Sequence, residues 1–212
     1  MTHKHLLIFL TIMAMAFTAT AADMEQLFLA EKGNVFPLLE NQARLIMLDN
    51  YKGGGTVPVA NLMAGDSSRV VNLSANEITI QTSPAKTVQA RLLTSGRDSV
   101  IAVIETFSTP YPDSDISFYS TQWKKLKTSK YINKMPAVDM FYLPTMDNNS
   151  RGELLMIAIP MMRMAFEGDK LVIRHSFKNQ MLPEVYDRLE PMLRPELVYK
   201  IEGTKLKCLN VR

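Results

Sequence analysis

The chain has 212 residues, 47% of them apolar and 21% charged, with 11 Pro and 9 Gly and a formal net charge of +3. That composition is globular; it excludes a disordered, collagen-like or multispanning protein, and the charge is too small and dispersed to suggest a nucleic-acid partner. One Cys and three His rule out an internal disulfide and leave little for histidine-based metal or acid–base chemistry, so no cofactor and no metal are expected.

The first segment is a short basic head (Lys4), an apolar run from Leu6 to Phe17 broken by Thr11, and a small-residue exit with Ala19 and Ala21. These are the parts of a secretory signal peptide over residues 1–21. The apolar run spans only about 18 Å as a helix, short of the roughly 30 Å of hydrocarbon that an anchor must cross. The expectation is therefore an exported protein, periplasmic or secreted by a Gram-negative cell, with no transmembrane span after cleavage and with residues 22–212 as a single domain. Removal of the leader also removes His3 and His5, so His175 is the only imidazole left.

Asp23–Lys32 and Phe36–Tyr51 read as helices. The first has Met24, Leu27 and Phe28 at helical spacing behind Asp23 as N-cap. The second has Pro37 in its first turn, an apolar face of Leu38, Leu39, Leu45 and Leu48, and a stop at Gly53-Gly54-Gly55. From Val70 the period changes to two. Glu77–Thr82, Thr87–Leu93, Ser99–Phe107 and Ser114–Tyr119 are short alternating runs separated by Ser83-Pro84, Gly96-Arg97-Asp98 and Pro110 to Asp113. They predict an antiparallel meander.

Ser120–Ser150 is irregular and carries five Lys. Leu154–Ile159 is apolar on both faces and predicts a central strand. Met162–Glu167 and Lys170–Phe177, joined by Gly168-Asp169, form a hairpin; Pro183–Leu189 reads as a short helix; Glu196–Glu202 and Lys205–Leu209, joined by Gly203-Thr204, close the chain as a last hairpin. The fold class is α+β: N-terminal helices packed on a mainly antiparallel sheet, with a short C-terminal helix and hairpin.

Few residues offer chemistry. His175 alternates with Leu171, Ile173 and Phe177, which predicts a packed, hydrogen-bonded histidine. Cys208 alternates with Leu206 and predicts a buried thiol. The Met cluster Met156, Met161, Met162 and Met164 could hold soft copper(I), but such residues more simply fill a core. Asp147-x-Asn149-x-Arg151 lacks the fifth and twelfth ligands of a calcium loop. The pairs Asp113 with Asp115 and Glu184 with Asp187 lie in a turn and on a solvated helix face.

One stretch stands out. Tyr119, Trp123, Lys124, Lys125 and Lys127 interleave aromatics with cations and continue to Lys130, Tyr131 and Lys134. A surface of that kind can face anionic lipid, polysaccharide or an acidic partner, whereas the plainer arrangement is a solvated connector whose Trp folds back onto the sheet. The residues favour a non-enzymatic binding or interaction module of the cell envelope, with an envelope protein or an anionic surface component as partner. The alternative is a hydrolase-like enzyme using carboxylates or a Ser near His175.

Three segments, Pro37-Leu38-Leu39 with Arg44-Leu45 and Asp49, Ser117 to Lys124, and Leu193 to Lys200, give the chain a resemblance to an exported family of Bacteroides-type bacteria, domain of unknown function 3256. The resemblance implies a signal peptide, a helical Leu-rich start and a strand-rich body. It implies no activity, cofactor or catalytic residue.

Overall fold

The structure is a computed structural model, and it describes residues 23–108 and 110–210. The expected signal peptide over 1–21 lies outside the described residues. Among the described residues no helix is long and apolar enough to cross a membrane.

Two helices open the fold, α1 (Met24–Ala30) and α2 (Asn41–Lys52). The Asp23 carboxylate accepts from the Gln26 amide at 2.8 Å and caps α1. Gly53 caps the end of α2, and Gly54 turns away with φ +76°, a conformation that glycine adopts without steric cost. The second helix starts at Asn41 rather than at Phe36, because the Glu31 side chain holds the preceding segment in another shape. Its two oxygens accept the main-chain N–H groups of Gly33, Asn34, Val35 and Phe36 and so wrap this segment around one carboxylate as a loop.

Glu31 is in turn held by Arg44, on the inner side of α2. Arg44 is 1% exposed and Glu31 2%. The Nη2 donates to the Glu31 carboxylate at 2.8 Å and to the Phe36 carbonyl at 3.3 Å. Nη1 donates to the Phe28 carbonyl at 2.9 Å and to that of Glu31, and Nε to that of Leu39 at 3.0 Å. The guanidinium also lies against the Phe28 and Phe36 rings, 5.3 and 5.8 Å from their centroids. One side chain thus ties together α1, the loop after it and α2.

Seven strands follow: β1 (Val59–Ala60), β2 (Ser67–Leu73), β3 (Glu77–Ser83), β4 (Lys86–Ser95), β5 (Asp98–Phe107), β6 (Asp113–Tyr119) and β7 (Lys125–Leu126). They pair in sequence order, each antiparallel to the next; β3 to β6 are the meander that the four alternating runs predict, extended by β1 and β2 on one side and β7 on the other. The chain then passes through α3 (Asn148–Ile157) into a second antiparallel sheet of β8 (Met162–Glu167), β9 (Lys170–His175), β10 (Leu197–Glu202) and β11 (Lys205–Cys208), again in sequence order, with α4 (Pro183–Leu189) between β9 and β10.

The burial explains the sequence of β5. Ile101 and Val103 face one way, into a cluster with Ile78, Ile80, Val88 and the α1 and α2 residues Met24, Phe28, Met47 and Leu48. Val100, Ala102 and Ile104 face the other way, into a cluster with Phe118, Phe166, Leu171, Ile173 and Tyr199. A strand covered on both faces reads as the continuous apolar run Val100 to Ile104. The architecture is α+β, with two antiparallel sheets sharing one of these cores. A third cluster gathers Met146, Leu154, Phe177, Tyr186 and Leu189 around α3 and α4.

The expected strand over Leu154–Ile159 is a helix end instead. The Asp147 carboxylate accepts the Ser150 amide at 2.7 Å and starts α3, which runs to Ile157. Only Leu154 and Ala158 are buried; Leu155, Ile157 and Ile159 are exposed, and Met156 is 89% exposed. A short apolar run is ambiguous in period, and the local cap decides it. The Met cluster is correspondingly split, with Met164 in the core and Met156 outside it.

The outer edge of β8 is closed by side chains of the large sheet. Its outward amides alternate along the strand. Met162 N–H donates to Asp113 Oδ1 at 3.1 Å, Met164 N–H to Ser114 Oγ at 3.0 Å, and Phe166 N–H to Gln89 Oε1 at 3.0 Å. An edge that would otherwise invite another chain is thereby sealed. Gln89→Ala is expected to lower stability by about 1–3 kcal/mol, the cost of leaving the amide of Phe166 without its acceptor; the shift in urea midpoint measures it.

Candidate binding surface

The β6–β7 turn places the aromatic and basic residues singled out from the sequence. Ser120 N–H donates to the Lys124 carbonyl at 2.9 Å, Trp123 N–H donates to the Ser120 carbonyl at 2.9 Å, and Ser120 Oγ accepts the amides of Gln122 and Lys124. Trp123 closes this turn with φ +61°, the one positive φ at a non-glycine position among the described residues. Its side chain is directed inward and is 4% exposed. The indole N–H donates to the Leu27 carbonyl at 2.8 Å, and the ring meets Phe36 edge-on at 6.2 Å and Tyr119 at 5.9 Å. Tyr119 is buried beside it, and burial, helped by the Glu105 charge, pushes its phenol upward.

This separates the five residues into two groups. Tyr119 and Trp123 belong to the core, because the turn folds the indole back against α1; they do not line an exposed surface. Lys124, Lys125 and Lys127 stand outside, exposed, and form no ion pair among the described residues. From Ser120 to Val138 the chain carries five Lys and no acid. Positive charge is therefore concentrated here despite a net charge of only +3.

The next segment builds a cleft of about 400 Å³. Residues 131–133 dock on the edge of β11. The Leu206 amide donates to the Tyr131 carbonyl at 2.7 Å, the Asn133 amide to the Leu206 carbonyl at 3.1 Å, and the Cys208 amide to Asn133 Oδ1 at 2.9 Å. Tyr131 stacks on Phe118, centroids 5.1 Å apart, and so fixes the floor. Lys130, Lys205 and Lys207 stand around the opening with Ser129 and Glu202. A larger open hollow, about 660 Å³, lies over Glu31 and Arg44, but that pair is fully committed to the internal bonds described above.

His175 is half-buried between Phe141 (5.1 Å, edge-on) and Phe177 (4.7 Å, stacked). It is packed as expected, but neither ring nitrogen completes a well-formed hydrogen bond. Burial pushes its pKa down, partly opposed by the main chain of Arg194. The neighbouring Ser176 hydroxyl donates to the Pro112 carbonyl at 3.2 Å and is not aimed at the imidazole. Cys208 is buried, as its alternation predicts, and lies beside Tyr199, whose phenol is pushed strongly upward, first by burial and then by the thiol. Asp113 serves the β8 edge, while Glu184 and Asp187 are solvated. Among the described residues no group of three or more His, Cys, Asp or Glu is placed to hold a metal ion.

Sequence reasoning missed the buried Glu31–Arg44 pair. The one signal was an Arg on the otherwise apolar side of a helix, between Leu39 and Leu48.

The sequence profile of a family described as "Protein of unknown function (DUF3256)" matches residues 16–206. No curated protein matches the chain significantly. Among solved structures, a domain of an uncharacterized protein from Porphyromonas gingivalis W83 is similar at 28% identity and a TM-score of 0.74, over 90% of this chain and 99% of that one.

Proposed function

The chain belongs to the DUF3256 family of proteins of unknown function, and from that premise we propose that it is a non-enzymatic binding module of the cell envelope, exported to the periplasm or secreted as one α+β unit. Its exposed lysines Lys124, Lys125 and Lys127 engage an anionic component there. The observation that carries this reading is the acid-free stretch from Ser120 to Val138, whose aromatics are spent on the core while these three lysines stay solvated and unpaired among the described residues. Export is supported by the leader-like pattern of Lys4, Leu6–Phe17 and Ala19-x-Ala21. The alternative, a hydrolase-like enzyme using carboxylates or a Ser near His175, has less support, since the His175 ring faces Phe141 and Phe177 rather than a hydroxyl.

Exchanging the three lysines for Glu tests the reading. The wild-type protein is expected to cosediment with an isolated envelope fraction at low ionic strength and to be released by salt, since exposed charges are screened beyond about 10 Å at 0.1 M. The Lys124→Glu/Lys125→Glu/Lys127→Glu variant should stay in the supernatant at the same thermal midpoint. Unchanged sedimentation of that variant would sink the assignment.

A further inference from the structure

The run from Leu154 to Met162 carries neither a charge nor a polar side chain. Leu154 and Ala158 turn into the cluster around α3 and α4, while Leu155, Met156, Ile157, Ile159 and Pro160 are exposed. Leu182 joins them. The Gln180 side chain hydrogen-bonds to Ile159, and Leu182, two residues on in extended backbone, lies on the same side of that segment and is 69% exposed. Single exposed aliphatics are ordinary on a protein surface, whereas a group of large ones marks an interaction site.

The main chain beneath these side chains leaves no N–H to water. The amides up to Ile157 belong to α3. Ala158 N–H donates to the Leu154 carbonyl at 2.9 Å, Met161 N–H to the Ile159 carbonyl at 2.8 Å, and Met162 N–H to Asp113 Oδ1 at 3.1 Å. Pro160 has no N–H to satisfy. At Ile159 a side chain from outside the run takes over: Gln180 Oε1 accepts its N–H at 2.8 Å, and Gln180 Nε2 donates to its carbonyl at 2.9 Å. In water that clamp gains little, because bonds to solvent are given up for it. Away from water it is required.

We propose that this tip is a non-spanning lipid anchor, with Leu155, Met156, Ile159 and Leu182 set into the acyl-chain margin of a bilayer surface. Shape and chemistry both select lipid. Met156, 89% exposed, makes the tip a projection rather than a groove, so a peptide has nothing to lie in. A protein partner takes about one hydrogen bond per 100–200 Å² of contact and favours Tyr, Trp and Arg as anchors. The tip offers no free N–H, no polar side chain and no aromatic ring, and acyl chains ask for none of these. The charges nearest in the chain are mixed. Glu153 is paired with Arg188, Arg163 and Lys178 have no ion pair among the described residues, and Glu184 is solvated. Attachment is therefore apolar rather than electrostatic, and it uses none of Lys124, Lys125 and Lys127.

Met156→Trp puts a fluorescent probe at the tip of the full chain, and Trp123, being buried, adds a constant background. With phosphatidylcholine vesicles the emission is expected to move to shorter wavelength and to be quenched by lipids brominated along the acyl chain, at low and high salt alike. The probe has to be local, because Leu6–Phe17 is apolar too and can carry the chain to lipid without the tip. In the Met156→Trp/Ile159→Asp chain the lipid needed for the same shift should rise about tenfold or more, since a carboxylate is costly at that depth, at an unchanged thermal midpoint. No shift, a shift without quenching by the brominated lipid, or an equal shift in the Ile159→Asp chain overturns the inference. So does a shift that grows with protein concentration in the absence of lipid, which would assign the tip to a second copy. A shift that salt abolishes would return the contact to Lys124, Lys125 and Lys127 and overturn the anchor while the lysine reading stands. Unchanged sedimentation of the triple Glu variant beside a salt-resistant, quenched shift at the tip sinks the lysine reading alone.

Discussion

Arg44→Met is expected to cost about 3–5 kcal/mol, the usual penalty for removing one partner of a buried ion pair. A loss of that size lowers the thermal midpoint by about 10 °C in a protein of this length. The reason is not the ion pair alone. Removing the guanidinium leaves the Glu31 carboxylate buried without its counter-charge and withdraws the donor from the carbonyls of Phe28, Leu39 and Phe36. Glu31→Ala should cost a similar amount by another route, because four main-chain amides lose their acceptor. Urea denaturation of the two single variants and the double variant gives the coupling between them, expected to be large since both act on one loop. The pair also predicts acid sensitivity. Burial pushes the Glu31 carboxyl up, but the Val35 and Gly33 amides and the Arg44 charge outweigh it, and the net displacement is downward. A depressed folded-state pKa stabilises fully above the unfolded value of about 4.3. That contribution disappears as pH falls through the folded value. Wild type should therefore lose stability below about pH 4 more steeply than the Glu31→Ala variant.

Trp123→Ala is expected to be as damaging, about 3–5 kcal/mol, since it empties a buried indole site against Phe36 and Tyr119 and frees the Leu27 carbonyl. The backbone adds a signature. At φ +61° any residue with a Cβ is strained by about 1–2 kcal/mol. Trp123→Gly should consequently be less destabilising than Trp123→Ala by about 1 kcal/mol, the reverse of the order found in helices and strands. Trp123 is the single tryptophan, so the variants have to be followed by far-ultraviolet circular dichroism rather than fluorescence. An Ala variant at least as stable as the Gly variant would mean that the turn relaxes out of the left-handed conformation.

What was legible in the sequence was local. Gly168-Asp169 and Gly203-Thr204 announce their hairpins because a tight turn is encoded in the residues that make it, and Gly168 and Gly203 do adopt positive φ. The middle of the meander, β3 to β6, was legible for the same reason, since every pairing joins neighbours in the chain, whereas β1, β2 and β7 were not read. Leu154–Ile159 misled because six apolar residues have no decisive period, and the cap at Asp147 lies seven residues upstream of the run it governs. The candidate site was only half readable. Spacing located the lysines from Lys124 to Lys134 and left two arrangements open for Trp123, of which the structure takes the one that folds the indole back; the left-handed turn that does so is a conformation sequence assigns to glycine. The Glu31–Arg44 pair left only the faint signal of an Arg on an apolar helix side. Its two residues meet only once α1, the loop after it and α2 have packed together.

The bonds from Asp113, Ser114 and Gln89 to β8 also give assembly a direction. The large sheet can be completed from residues 59–126 alone, each strand laid against its predecessor. The small sheet cannot: the rail along which β8 docks is made of side chains that stand in line only once β4 and β6 are in place. A chain emerging from its N-terminus has that rail ready before residue 162 arrives. The last quarter of the molecule then folds on a template rather than as a partner.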